Sequence, residues 1–273
     1  MDEQSEQHHE QGGTGAGGRR ADGSAGDTDY GRIGAGYTDY RQPDPRIAAA
    51  IRRALGEAKT VLNVGAGAGS YEPTDAEVTA VEPSASMRAQ RPAHLPAAVD
   101  AVAERLPFED DAFDAAMTTF SVHQWSDVRA GLRELRRVTR GPVVVLTCDP
   151  ALVREFWLYE YAPLVLDTEA RRYPAVAELA EALGGEVTVE PVVIPADCTD
   201  GFNEAYFARP ERLLDPGARQ ACSAWSFVEP QVREEYTERL AEAIASGAWD
   251  ERHGALRDLP GYDGSLVLVR ALP

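Results

Sequence analysis

The chain has 273 residues, 44% of them hydrophobic and 26% charged, enough for one large domain or a core with an attached cap. Its formal net charge of -18 repels phosphate backbones and anionic lipid, which argues against a nucleic-acid or membrane partner. No apolar run approaches the roughly 20 residues that cross a bilayer.

Three scattered cysteines, Cys148, Cys198 and Cys222, form no C-x-x-C, and their odd number argues against a disulfide framework. The opening D-E-Q-S-E-Q-H-H-E lacks the basic start and apolar centre of a signal peptide. A soluble, cytoplasmic protein is expected. Residues 1–29 are polar and glycine-rich without apolar periodicity, and are expected to form a disordered tail in which His8 and His9 are simply solvated.

Order is expected from Tyr30. Asp44 suits an N-cap, Pro45 the first helical position, and Ile47, Ile51 and Leu55 one buried face, with Gly56 stopping the helix. A strand at 60–64 follows, then a glycine turn with Gly65, Gly67 and Gly69, and a second strand at 78–82 that ends on Glu82. A short helix from Ser84 and a third strand at 97–101 come next. Strand 113–119 leads into T-T-F-S-V-H-Q-W-S-D, and Ser126 is expected to cap a helix with Val128, Leu132 and Leu135 on its apolar face. Gly141-Pro142 precedes the strand 143–147. Alternation of strand and helix implies a parallel sheet with right-handed crossovers.

Beyond Asp149-Pro150 an aromatic helix is expected, interrupted by Pro163, then a helix with Val176, Leu179 and Leu183 apolar. Strand 187–194 is separated by roughly 70 residues from the last strand, 266–269. Residues 195–261 read as a helical cap, with Val232, Tyr236, Leu240 and Ile244 on one stripe; 30–194 and 262–273 read as the core. Such a cap has the length to close over substrate, to form a homo-oligomer, or both.

A dinucleotide fingerprint, G-x-G-x-x-G, requires a glycine at position 70, where the chain has Ser70; the pattern present is G-x-G-x-G. The blocks V-G-A-G-A-G, V-E-P-S and L-P-F followed by F-D, in that order, resemble the class I S-adenosylmethionine-dependent methyltransferases, in their small-molecule (type 11-like) branch. The resemblance covers residues 30–150. It implies a Rossmann-like, doubly wound and mostly parallel seven-stranded sheet, here with the helical cap inserted before the last strand. It also implies S-adenosyl-L-methionine as cofactor, S-adenosyl-L-homocysteine as product, and Glu82 as acceptor of both ribose hydroxyls.

In the adenine-reading turn Val102 stands where the family usually has an acid, which leaves Glu104 and the backbone of Ala103. Thr119 ends a strand at the cofactor edge, and Arg41 with Tyr37 or Tyr30 is expected to close over the methionyl end; packing of the N-terminal segment is the alternative. His123 is the candidate general base, with an unperturbed pKa of roughly 6.5 suited to the task, or else a residue packed between strand and helix. Trp125, Trp157, Tyr161, Phe202, Tyr206 and Trp225 would suit an apolar acceptor pocket. Asp197, Cys198 and Asp200 lack a histidine partner and read as an acid-rich turn, so no metal is expected.

The reading is transfer of a methyl group to oxygen, nitrogen or carbon of a small organic acceptor. Its rivals are a methyltransferase-like binding module without turnover, a nicotinamide-dependent oxidoreductase, which Ser70 opposes, and a macromolecular methyltransferase, which the charge opposes.

Overall fold

The computed structural model describes residues 37–273. The expected tail, with His8 and His9, and the expected start of order at Tyr30 lie outside the described residues. A short helix α1 (Tyr37–Tyr40) leads to α2 (Pro45–Leu55). The side chain of Asp44 accepts from the Arg46 N–H, Pro45 is the first helical residue, and Gly56 closes the helix at φ 65°. Ile47, Ile51 and Leu55 are buried, as their spacing requires.

Six strands make the main sheet: β1 (Thr60–Val64), β2 (Glu77–Val81), β3 (Ala115–Thr119), β4 (Val143–Cys148), β5 (Glu186–Pro191) and β8 (Leu266–Leu272), in the order β2-β1-β3-β4-β8-β5. β1 pairs in parallel with β2 and β3, and β3 with β4, whereas β8 runs antiparallel to both β4 and β5. Two further strands, β6 (Ile194–Pro195) and β7 (Gly261–Tyr262), form a small antiparallel pair.

The sheet therefore has six strands where the resemblance implies seven. The expected third strand, 97–101, touches β2 only through Val99, which exchanges hydrogen bonds with Ala80 and Glu82. Pro96, Ala97 and Ala98 favour neither strand backbone nor strand packing, so the pairing stops at one bridge. The expected strand 187–194 likewise divides: β5 ends at Pro191, the Val192 N–H still donates to the Leu266 carbonyl at 2.9 Å, and the chain then leaves the sheet to form β6.

Both faces of the sheet are covered, and β4 shows why its sequence reads as an unbroken apolar run. Val143 and Val145 face a core shared with Leu132, Leu135, Leu179 and Leu183 from α4 (Val128–Arg137) and α6 (Val176–Leu183). Val144 and Leu146 face the opposite core, with Ile47 and Ile51 of α2 and the aromatic residues of the C-terminal half. The period of two is that of strand side chains.

Three local expectations are revised. Asp127, not Ser126, caps α4, accepting from the Ala130 N–H at 2.9 Å. The aromatic stretch from Val153 forms tight 3₁₀ turns, and Pro163 begins rather than interrupts a helix, α5 (Pro163–Arg172). Proline suits the first helical position because its missing N–H has no partner to lose there. Between β6 and β7 the chain folds into 3₁₀ turns and the helices α7 (Pro216–Gln220), α8 (Pro230–Ala245) and α9 (Ala248–His253), with α3 (Ala85–Arg88) the remaining short helix of the chain. Trp225 and Trp249 are buried in this segment. Among the described residues no helix is long and apolar enough to cross a membrane.

Candidate functional site

From β1 the chain moves to β2 on one side and to β3 on the other, and ligands on open α/β sheets sit beyond the strand ends at such a reversal. A cleft of about 630 Å³ lies there, walled by the glycine turn, Glu82, residues 83–87, residues 101–104, residues 119–121 and residues 124–126. Gly65, Gly67 and Gly69 all have positive φ, 68°, 51° and 99°. At Gly65 a Cβ would lie 1.8 Å from the Ser121 Oγ, so the turn admits no side chain there.

Glu82 is 7% exposed. Its Oε2 accepts the Gly67 N–H and its Oε1 the Ser84 N–H, each at 2.8 Å. Burial raises its pKa, against the pull of these two amides and of Arg88 and Arg91. An ionised carboxylate accepts about four hydrogen bonds, so the two named here leave capacity for two ribose hydroxyls.

The neighbouring wall differs from expectation in detail. Ala103 is buried and Glu104 reaches the cleft, but Glu104 Oε1 is engaged by the Ser126 N–H, the Ser126 hydroxyl and the Asp127 N–H at 2.7–3.0 Å. Glu104 thereby holds the entry of α4. Val102 is 46% exposed in the same wall, and Gln124 lines it with a buried Nε2 that no protein group accepts. Trp125 donates to Ser121 Oγ at 3.0 Å and backs the glycine turn, so it belongs to this cleft.

A second, much smaller cavity of about 40 Å³ adjoins the first through Arg41 and Phe120, which line both. About three waters would fill it. His123, Glu169, Arg172, Tyr173, Phe202 and Asn203 are among its walls. His123 is 6% exposed, its ring 4.6 Å from that of Tyr173, and its Nδ1 has no hydrogen-bond partner. Burial, then the charges of Arg172 and Arg41, push its pKa well below 6.5, so the imidazole is neutral at physiological pH. Asn203 donates to Glu169 at 2.7 Å and accepts from Trp225 Nε1 at 3.0 Å; burial raises the Glu169 carboxyl.

Arg41 lies between the cavities, over the Phe120 ring at 5.0 Å. Its guanidinium is held by Asp200, which also accepts from the Tyr71 hydroxyl at 2.8 Å. Arg41 thus lines the cleft while pairing with the inserted segment through Asp200. Tyr37 opens α1, but its side chain lies outside the described residues.

Of the expected acceptor contacts, Phe202 reaches the second cavity, packed 5.3 Å from Phe120. Trp157 donates to the Phe207 carbonyl and packs on Trp249, and Tyr161 accepts from Arg252. They and the buried Tyr206 and Trp225 line neither cavity. Aromatic content marked the second core rather than the pocket. Phe120, Glu169, Arg172, Tyr173 and Asn203 gave no sequence signal, because only the packing of α5 and the insertion against the end of β3 brings them together. Phe120 has φ 49°, a strained value of the kind that gathers at ligand sites. Asp197 pairs with Arg46, and among the described residues no group of His, Cys, Asp and Glu could hold a metal.

The methyltransferase domain family matches residues 62–145. Malonyl-[acyl-carrier protein] O-methyltransferase of Pseudescherichia vulneris is 31% identical over 183 residues, covering 62% of this chain and 72% of its own. The chain belongs to the S-adenosylmethionine-dependent methyltransferase family. An Anabaena variabilis structure described as a methyltransferase from an antibiotic biosynthesis pathway superposes with a TM-score of 0.79 at 28% identity, over 85% of this chain and 98% of that one. The uncharacterized protein YafE of Escherichia coli is 39% identical over 75 residues, and the match spans 36% of its length. The cofactor of this family is S-adenosyl-L-methionine, and the bare glycine turn and the spare acceptor capacity of Glu82 fit it.

Proposed function

We propose that the protein transfers a methyl group to a small organic acceptor whose reacting end enters the second cavity. The observation that carries this reading is the junction: a large cleft with an adenosine-type acid adjoins, across Arg41 and Phe120, a small cavity edged by a histidine whose Nδ1 has no partner. The bound cofactor supplies an electrophilic methyl group. Glu82 holds the ribose hydroxyls, the glycine turn lets backbone approach the ligand, and Val102, Ala103 and Gln124 form the wall for the base.

The chain's own contribution to the reaction is orientation, worth about 7–11 kcal/mol when two groups are held in attack geometry. His123, neutral and with its buried Nδ1 lacking a partner, would accept a hydrogen bond from an acceptor O–H or N–H that enters the cavity, and could take its proton. Its lowered pKa makes it a weak base, so alignment is its larger contribution. The polar walls favour an acceptor with a hydrogen-bonding end over a wholly apolar one; oxygen, nitrogen and carbon nucleophiles are all compatible with this geometry. A boundary at residues 195–261, acting as a cap over this cavity, follows from the same reading through Phe202 and Asn203.

Calorimetric titration with S-adenosylhomocysteine, with NAD as control, tests the reading. Micromolar binding, about 8 kcal/mol, supports it and directs a radiolabelled methyl-transfer screen of small alcohols, amines and acids. A folded protein that binds NAD or neither ligand would refute it.

A further inference from the structure

Parallel strands are joined by a crossover of a dozen or more residues, usually a helix, and phosphate- and nucleotide-binding turns commonly open such a helix. Here the connection from β1 to β2, residues 65–76, contains no helix. Behind it, where a crossover helix would pack, lies an open groove of about 650 Å³ bordered by α2 and by residues 90–95. The glycine turn therefore lacks the rigid element that ordinarily stiffens it.

Another device stands in that place. Glu72 leaves the turn and meets Arg91 in a two-pronged ion pair, Nη1 to Oε1 at 2.9 Å and Nη2 to Oε2 at 3.0 Å. The side chains are 4% and 2% exposed, for arginine and glutamate respectively. Asn63, on β1, donates to the same Oε1 at 3.1 Å, and Arg91 also donates to the Pro96 carbonyl at 3.1 Å. A Cβ on Gly69 would fall 2.3 Å from Leu95 and 3.2 Å from Arg91 Nη1, so the turn rests directly on this pair. The same stretch of chain reaches Glu82, whose carbonyl accepts from Arg88 at 2.7 Å.

We propose that Glu72 and Arg91 are cofactor-positioning residues: their buried pair takes over the task of the crossover helix and fixes the glycine turn for the nucleoside. Ion pairs on a surface contribute little, whereas a two-pronged pair out of water has one geometry and transmits it to what it supports. The inference rests on the cofactor reading for its ligand, but not for its mechanical claim.

The test compares wild type with Glu72→Gln and with the double variant Glu72→Gln/Arg91→Met. The double variant leaves no buried charge unpaired and keeps the volume, so it folds even where the single one fails. Two quantities are read in the full chain: amide hydrogen exchange at residues 65–70 without ligand, and S-adenosylhomocysteine affinity by calorimetry. The expected result is a double variant with nearly unchanged Tm, faster exchange at 65–70, and affinity lowered roughly tenfold or more. Exchange at the wild-type rate overturns the proposal whether or not the cofactor binds. Faster exchange with affinity within about twofold of wild type overturns the positioning role and leaves a purely structural pair. Wild type that does not bind S-adenosylhomocysteine refutes the cofactor assignment instead, and the exchange arm still decides the mechanical claim.

Discussion

Glu82 shows how one carboxylate can organise its own loop and keep acceptor capacity towards a cleft. With its oxygens on the Gly67 and Ser84 amides, it closes the glycine turn before any ribose arrives. Hydrogen bonds to a charged group contribute about 1.5–3 kcal/mol each, so Glu82→Ala, which loses two of them, is expected to weaken S-adenosylhomocysteine binding by roughly 100-fold or more in calorimetry. Unchanged affinity would remove Glu82 from the site. The position of this residue was legible because it is set by chain order, at the end of a strand beside a glycine turn. His123 was legible as a candidate but not in its electrostatics, which come first from burial and then from Arg172, on a helix 49 positions away, and Arg41. Since these charges and burial hold its pKa well below 6.5, His123 has no charge change to contribute between pH 6 and 8. The pH profile of kcat is expected to lack a histidine-type inflection near 6.5 that disappears in His123→Ala. Such an inflection, abolished by the substitution, would show that the imidazole is wetter than its packing implies.

At the scale of elements, the readable ones carried strong periodicity and an unambiguous start. α2 has its proline and apolar face in eleven residues directly behind the Asp44 cap, and β4 is buried throughout because both of its faces are covered. The segment 97–101 was misread because alternating small residues resemble a strand until a neighbour must supply hydrogen bonds. Pro163 was misread because proline has opposite meanings inside a helix and at its first position. The contacts that join elements were invisible. Asp200, seen in sequence as part of an acid-rich turn, is 2% exposed and links Arg41 before α2, Tyr71 after the glycine turn, and the insertion. Removing one member of a buried ion pair costs about 3–5 kcal/mol because its partner stays charged and out of water. Asp200→Asn is thus expected to lower stability by that amount in urea denaturation, and adding Arg41→Met to recover most of it. A double variant as unstable as the single one would mean that Asp200 acts through Tyr71 rather than Arg41.

For the whole molecule, the question is what fastens the insertion to the sheet on which the site is built. Glu204 answers in part. It lies in the insertion, is 6% exposed, and accepts from the Ser265 N–H at 2.9 and 3.1 Å and from the Ser265 hydroxyl at 2.9 Å, at the start of β8. Burial raises its pKa to about 8, with Glu169 adding to the rise and the Ser265 bonds opposing it. An acid whose pKa is higher folded than unfolded binds more protons in the folded state between the two values. The stability it contributes is therefore full below the unfolded value of about 4.5 and is lost as pH rises to about 8. The loss is on the order of a few kcal/mol, and it opposes the trend of Asp44, whose pKa is lowered to about 2 by its bonds to Arg46 and the Thr199 N–H and which stabilises the fold throughout neutral pH. The urea midpoint of wild type is expected to fall between pH 6 and pH 9 more steeply than that of Glu204→Gln, which keeps an oxygen for the Ser265 N–H but cannot ionise. Parallel slopes would mean that water reaches Glu204, and that the insertion parts from β8 more readily than its packing indicates.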